Sequence, residues 1–275
     1  MTVANLIKRE LSMNAAEKIR PLEHQTALVT HATSGIGAAI AEALADAGAK
    51  VMINYLHERE KAEQLAEHIR NKQGQTMIFR ADVTQENEVN SMLDVLAVYW
   101  GRMDILVDNT GLQEKSLEQF ESTESKRENI SRNLAMQFLR VRQARRFLVG
   151  QGVNTLSSIV AGKLICISTP DLYSKNALNK LLHTLTQEVS VENIRVNAIM
   201  AKKSKPYTLN NGSILADEAD SNAYAIAKMA VWLVSDEADY SNGEIFNSTL
   251  DIQTDGPSGV DGFFMPGKFL KNPKK

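Results

Sequence analysis

The run Thr26-Ala27-Leu28-Val29-Thr30 leads directly into His31-Ala32-Thr33-Ser34-Gly35-Ile36-Gly37. Two glycines placed between a β-type run and a helical segment let the backbone turn tightly. They also allow it to approach a pyrophosphate seated on the helix N-terminus, where unpaired N–H groups favour an anion. Gly35 and Gly37 preserve that chemistry. His31 stands at the first turn, and an imidazole-bearing residue cannot readily adopt every backbone geometry open to glycine. A second polar grouping lies further along. Val153-Asn154-Thr155-Leu156-Ser157-Ser158 reads as a buried strand ending in two hydroxyls, and Ser174-Lys175-Asn176-Ala177-Leu178 opens a helix, with Lys175 seventeen residues beyond Ser158.

The elements that must position these residues alternate between strand and helix. After the first run, Ile36, Ile40, Ala43, Leu44 and Ala47 share one helical face, closed by Gly48. Val51–Tyr55 is a second strand. Ala62, Leu65, Ala66 and Ile69 mark a charged helix ending near Gly74, and Met77-Ile78-Phe79 is a third strand. Val89, Met92, Leu93, Leu96 and Trp100 form another apolar stripe, followed by the strand Ile105-Leu106-Val107. Downstream the pattern predicts a long helix over 126–148, a fifth strand over 153–157, a helix over 174–190 and a sixth strand at Arg195–Ile199. A helix over 222–234 and a last strand near Glu244–Asn247 complete the series. Strands separated by helices call for parallel pairing with right-handed crossovers. The expected fold is therefore α/β, a doubly wound parallel sheet (Rossmann-like) in a single domain. It spans 25–256, with an N-terminal arm over 1–24 and a C-terminal tail over 257–275.

Composition narrows the function classes. At 275 residues, 43% hydrophobic and 23% charged, the chain can bury a full core. A net charge of −2 gives no global signal for nucleic acid or an anionic membrane, and neither is expected as a partner. No apolar run approaches bilayer-spanning length. The single cysteine, Cys166, excludes an internal disulfide and suits a reducing compartment, so a cytoplasmic location is expected. The five histidines lack metal-ligand spacing, and no metal is expected.

Several motifs recur in order on these elements: the Thr30–Gly37 loop, Ala81-Asp82-Val83-Thr84 after the third strand, Asp108-Asn109-Thr110-Gly111 after the fourth, and Arg195-Val196-Asn197-Ala198-Ile199. Together they resemble the short-chain dehydrogenase/reductase family over roughly 25–256, most of all its glucose 1-dehydrogenase and 3-oxoacyl reductase branch. The loop looks like the family's TGxxxGIG with His31 in place of the first glycine. The later motifs resemble its adenine-contacting DV pair, its NNAG (altered at Asp108 and Thr110) and its RVNAI.

The resemblance implies NADP or NAD as cofactor, contacted by Thr30, Ser34, Gly35, Ile36, Gly37, Asn54, Tyr55, Asp82, Val83, Asn109 and Lys175. Competing structural roles stay open for two of these. Asp82 would serve equally as a cap of the following helix, and Asn109 as a sheet-stabilising hydrogen bond. The second strand ends at Asn54 and Tyr55 without the carboxylate that holds a ribose 2′-hydroxyl, which leans towards NADP or dual use. The arginine expected for NADP is also missing, with Leu56 and His57 following.

For catalysis the resemblance places Asn133, Ser158 and Lys175 in the asparagine, serine and lysine roles. The tyrosine thirteen residues after the serine and four before the lysine is replaced by Asp171. A carboxyl group titrates near ~3.9 against about 10 for a phenol, so an ionised Asp171 has no proton to donate. Tyr173 is displaced by two residues, about 200° around a regular helix, and is expected to point away from Lys175's face. A second parse takes Gly162–Thr169 as the strand and Thr169 as the serine equivalent. It requires a deletion before the helix, and the ungapped parse is preferred. The Pro-Gly that follows RVNAI in the family is also absent, replaced by Ala201-Lys202.

Two functions follow. One is a cofactor-binding protein or hetero-oligomer subunit that lacks tyrosine-dependent redox activity. The other is an NAD(P)-dependent oxidoreductase on a small alcohol or carbonyl substrate with a modified proton donor. The family's habit of assembly implies a homo-oligomer, a dimer or tetramer.

Overall fold

A computed structural model describes residues 20–33, 35–109, 162–168, 175–189, 193–201 and 221–248, the side chains of Lys175 and Ser221 excepted. Seven strands, β1 (Thr26–Val29), β2 (Lys50–Tyr55), β3 (Thr76–Arg80), β4 (Ile105–Asp108), β5 (Gly162–Ser168), β6 (Ile194–Met200) and β7 (Ile245–Asn247), form one sheet. Their order is β3-β2-β1-β4-β5-β6-β7 and every pairing is parallel. Five helices are described: α1 (Gly35–Asp46), α2 (Arg59–Asn71), α3 (Glu86–Trp100), α4 (Lys175–Val189) and α5 (Ser221–Val234). The doubly wound expectation is met.

Strand periodicity decides which helix covers which face. Alternate residues Ala27, Val29, Val51, Ile53, Val107, Ile165 and Ile167 pack with Ile40 and Leu44 of α1, Leu65 and Ile69 of α2, and Ile226 and Leu233 of α5. Their neighbours Leu28, Met52, Leu106, Leu164, Cys166 and Val196 face the other way, onto Met92 and Leu96 of α3 and Leu178, Leu182 and Leu185 of α4. With both faces covered, the central strands read as continuous apolar runs rather than alternating ones. The helical stripes expected from sequence are the buried ones, with Ile36, Ile40, Leu44, Ala62, Leu65, Ala66, Ile69, Val89, Met92, Leu93 and Leu96 all in the core. Leu22, expected within the arm, is also wholly buried, and its N–H donates to Ala47 O at 3.0 Å.

The fifth strand requires a correction. It was expected over 153–157, but the place between β4 and β6 is filled by Gly162–Ser168, the strand of the less favoured parse. Its register runs from Ile105↔Lys163 to Asp108↔Cys166 on one side and from Gly162↔Ile194 to Ser168↔Met200 on the other. Polar anchors hold this register at the amino-terminal edge. Lys163 N–H donates to Asp104 O at 2.8 Å, and its nearly buried ammonium reaches Gln25 Oε1 at 3.1 Å and Asp236 Oδ1 at 3.5 Å. Next to it, Arg195 donates through Nη1 to Ser241 O (3.2 Å) and through Nη2 to Ser235 O (3.3 Å), and it pairs with Asp239 at 3.4 Å. Burial pushes both cations below their ordinary pKa, against the pull of Asp236 and Asp239. Residues 153–157 and the helix expected over 126–148 lie outside the described residues.

Candidate functional site

The strand order reverses between β1 and β4, and the crevice at their carboxyl ends is where such sheets take ligands. Thr30 follows β1 there, and Asp108 and Asn109 close β4. All three are buried and bound to one another. Thr30 Oγ1 donates to Asp108 Oδ1 at 3.2 Å and accepts from Asn109 N–H at 2.9 Å, while Thr30 N–H donates to Val107 O at 3.0 Å. Asn109 Nδ2 donates across the crevice to His31 O at 3.1 Å. Asn109 therefore performs the sheet-stabilising role weighed for it. Its Oδ1 is buried with no hydrogen-bond partner among the described residues, an acceptor still open at the head of the crevice.

The turn itself explains the sequence departure at its start. His31 has φ +46°, a left-handed conformation that glycine adopts freely and an imidazole-bearing residue adopts at a cost. Asn54 at the end of β2 keeps it there. This wholly buried amide accepts from His31 N–H at 3.1 Å and donates to Ala81 O at 3.0 Å, and its own carbonyl accepts from Ala32 N–H at 3.0 Å. Asn54 thus ties the loop to the ends of β2 and β3, and the turn keeps its shape without the expected glycine.

Two glycines shape the rest of the cradle. Gly35 lies at φ +56° with nothing within 4 Å of where a side chain would begin, so the approach to the first residue of α1 is open. At Gly37 the opposite holds. A Cβ would lie 2.4 Å from Asn109 Nδ2 and 2.6 Å from His31 O, so only glycine lets the helix close onto the crevice. A helix N-terminus at the switch point, an open approach at Gly35 and a buried open acceptor at Asn109 fit a nicotinamide dinucleotide whose pyrophosphate rests on α1.

Ile36, Tyr55 and Val83 turn their side chains into the core. Asp82 Oδ1 accepts from Thr84 N–H at 2.9 Å and Thr84 Oγ1 at 2.7 Å, forming a local turn, while the N-cap position of α3 is held by Gln85, whose side chain makes no capping bond. Ser34, Asn133, Ser158 and Asp171 lie outside the described residues, as does the side chain of Lys175.

Beyond the crevice, β5 ends at Ser168 and α4 starts at Lys175. Ser168 is buried beside the end of β6, and its carbonyl accepts from Ala201 N–H at 2.7 Å. Ser158 was assigned as the residue ending the fifth strand, a premise that β5 at Gly162–Ser168 removes. The sequence had pointed to the right strand in Gly162–Thr169, but the unbroken spacing from Ser158 to Lys175 outweighed it. Sequence reasoning also missed the bridge from Thr33 Oγ1 to Glu58 Oε2, 2.8 Å long, beside the loop.

The family model described as Enoyl-(Acyl carrier protein) reductase matches residues 31–248. An uncharacterised oxidoreductase of Methylorubrum extorquens is 31% identical over 249 residues, covering 84% of this chain and 99% of that protein. The versicolorin reductase of Emericella nidulans is 28% identical over 258 residues, covering 85% and 97%. Among solved structures, a short chain dehydrogenase from Burkholderia cenocepacia in complex with NADP shares the fold with a TM-score of 0.66 at 24% identity, covering 82% of this chain and 97% of that one. A hydroxysteroid dehydrogenase from Escherichia coli also gives 0.66 at 24% identity, covering 84% and 97%. With a parallel sheet in this order, a glycine loop at its switch point and relatives matched along nearly their whole length, the chain is a member of the short-chain dehydrogenase/reductase family.

Proposed function

We propose that this protein binds NAD or NADP on the Thr30–Gly37 loop but does not transfer hydride by the tyrosine-dependent route. It then acts as a cofactor-binding subunit of a homo- or hetero-oligomer, in a reducing compartment such as the cytoplasm. The observation that carries this reading is the short junction between β5 and α4. Only residues 169–174 separate Ser168 from Lys175, where the family's strand-end serine and helix lysine stand seventeen positions apart. The position four before Lys175 is Asp171, a group with no proton to give at neutral pH. Support for the retained half comes from the intact crevice and from the NADP held by the Burkholderia relative.

The test pairs binding with turnover on the full chain. NADH and NADPH are titrated separately by nicotinamide fluorescence, and the saturated protein is then assayed for cofactor oxidation with a panel of aldehydes and ketones. Micromolar binding with no carbonyl-dependent oxidation is expected. Carbonyl-dependent oxidation would favour the second function, an oxidoreductase with a modified proton donor. Absence of binding to both would end the cofactor reading.

A further inference from the structure

The last turn of α3 presents two large apolar side chains to solvent. Val98 is 83% exposed and Tyr99 73%, while Met92, Leu93 and Leu96 of the same helix are buried. The core stripe is complete without them, and the outer face of an amphipathic helix ordinarily carries polar or charged residues. Charge around the pair is one-sided. Asp94, exposed one turn before Val98, makes no ion pair or hydrogen bond among the described residues. α3 contains no lysine or arginine, so nothing on the helix offsets the negative end of its dipole, where Gly101 closes the last turn by donating its N–H to Ala97 O at 2.8 Å. Arg102, the next cation along the chain, is bound to Asp104, to which its Nε donates at 2.9 and 3.0 Å. This surface favours a partner that brings apolar side chains and cations together.

A segment of that chemistry lies in this chain. Leu6-Ile7-Lys8-Arg9 sets two apolar side chains directly before two cations, and Val3, Leu6, Ile7 and Leu11 share the i, i+3, i+4, i+8 spacing of one helical face. These residues belong to 1–19, outside the described residues, and the described chain begins at the same edge of the sheet where α3 ends. Arg20 lies against Gly48, where an added Cβ would be 2.9 Å from Arg20 Cβ. Two turns follow, Glu23 N–H donating to Arg20 O and Gln25 N–H to Leu22 O, both at 3.1 Å, and they lead to Thr26, whose N–H donates to Asp104 Oδ2 at 2.8 Å. The path from Arg20 to Thr26 and from Asp104 back to Tyr99 bounds the gap at under about 40 Å, since a turn spans less than about 7 Å and an extended residue about 3.5 Å. From Arg20 back to Ile7 the extended chain reaches about 45 Å, enough to close that gap.

We propose that residues 1–19 dock onto the last turn of α3 in their own chain, with Leu6 and Ile7 covering Val98 and Tyr99, and Lys8 and Arg9 facing Asp94 and the helix C-terminus. The segment is then a cover, and its release bares an apolar surface of the kind that marks protein association.

Native-state proteolysis of the intact chain tests this, because a docked segment is cut only when it opens locally. Trypsin cleavage after Lys8 and Arg9 is timed by mass spectrometry in the wild-type chain and in Tyr99→Asp, Asp94→Lys and Leu6→Ser. Tyr99 and Asp94 are exposed and Leu6 precedes the described fold, so the variants keep the sheet, as circular dichroism checks. The wild-type segment is expected to be cut about tenfold more slowly or more than in Tyr99→Asp and Leu6→Ser, at a rate independent of protein concentration, with Asp94→Lys in between. Equal rates in the wild type and Tyr99→Asp overturn the proposal, whether the segment is open or held elsewhere. Release by Tyr99→Asp but not by Leu6→Ser or Asp94→Lys overturns the pairing of Leu6-Ile7-Lys8-Arg9 with this turn. Protection that falls on dilution places the segment of a second copy on α3 and overturns docking within one chain.

Discussion

The crevice between β1 and β4 and the junction between β5 and α4 stand at the same edge of one sheet and have changed in different ways. At the crevice one residue of a glycine loop is exchanged, and the surroundings absorb the exchange. His31 takes up φ +46°, and Asn54, wholly buried, holds its N–H in place. At the junction the chain is shortened, so that Lys175 follows Ser168 by seven positions. A strained turn can be held by hydrogen bonds from neighbours, because the cost of one left-handed residue is of the order of 1–2 kcal/mol. A missing stretch of backbone offers no such remedy, since a proton donor must lie within hydrogen-bond reach of the reacting oxygen. On the proposed function, binding geometry tolerates substitution where catalytic geometry does not tolerate shortening.

The contrast can be broken most severely at Gly37. Gly37→Ala forces a methyl to within 2.4 Å of Asn109 Nδ2 and 2.6 Å of the His31 carbonyl oxygen. Denaturant unfolding should show a loss of about 3 kcal/mol, as expected for overpacking a tight site, and dinucleotide binding should vanish with it. A loss below about 0.5 kcal/mol, the range of ordinary surface changes, would mean that the crevice is not closed as described.

A subtler effect tests where β5 lies. The pKa of Lys163 is depressed chiefly by burial, so the folded chain holds this proton less tightly than the unfolded one. Between the lowered folded pKa and the unfolded value near ~10.4 the unfolded state carries more protons, and stability contributed by this group rises with pH. The penalty is full below the folded pKa and relieved as pH climbs through that window. Lys163→Met should remove this alkaline rise, as measured by urea midpoints across the window. An unchanged pH dependence would place Lys163 in solvent and β5 elsewhere.

The smallest effect carries the opposite sign. His31→Gly relieves the positive φ at the cost of a more flexible unfolded chain, and it should raise stability by about 0.5–1 kcal/mol. Thermal unfolding at fixed pH reads this directly, and a destabilised variant would show that the imidazole contributes more than its backbone costs.

The amino-terminal half was legible in the sequence because each strand there is followed by an amphipathic helix whose stripe reads clearly, as at Leu65 and Ile69 or Met92 and Leu96. The fifth strand was not. A parallel strand covered on both faces carries no alternation, and two apolar runs ending in hydroxyls, 153–158 and 162–169, lie close together. Spacing to Lys175 favoured the first run, but spacing reflects a functional pattern and says nothing of which run pairs with Leu106 and Val196. Ladder pairing selected the second. Site residues were legible to the extent that backbone carries them. Gly35 and Gly37 shape the turn into α1, and Asn54 and Val83, expected as cofactor contacts, hold the loop and lie in the core. Glu58 escaped notice because its partner, Thr33, is distant in sequence and close only once β1 and β2 pair.

The chain's one cysteine offers the most direct test of the shortened junction. Cys166 lies wholly buried in the middle of β5, between Asp108 and Ala198 of the flanking strands. A thiol there should react with an aromatic disulfide reagent only through global unfolding, at a rate roughly a thousandfold or more below that of the denatured chain. Such protection is the predicted result. Rapid stoichiometric labelling of the native protein would place Cys166 in a loop, return the fifth strand to another segment and contradict the account of the junction.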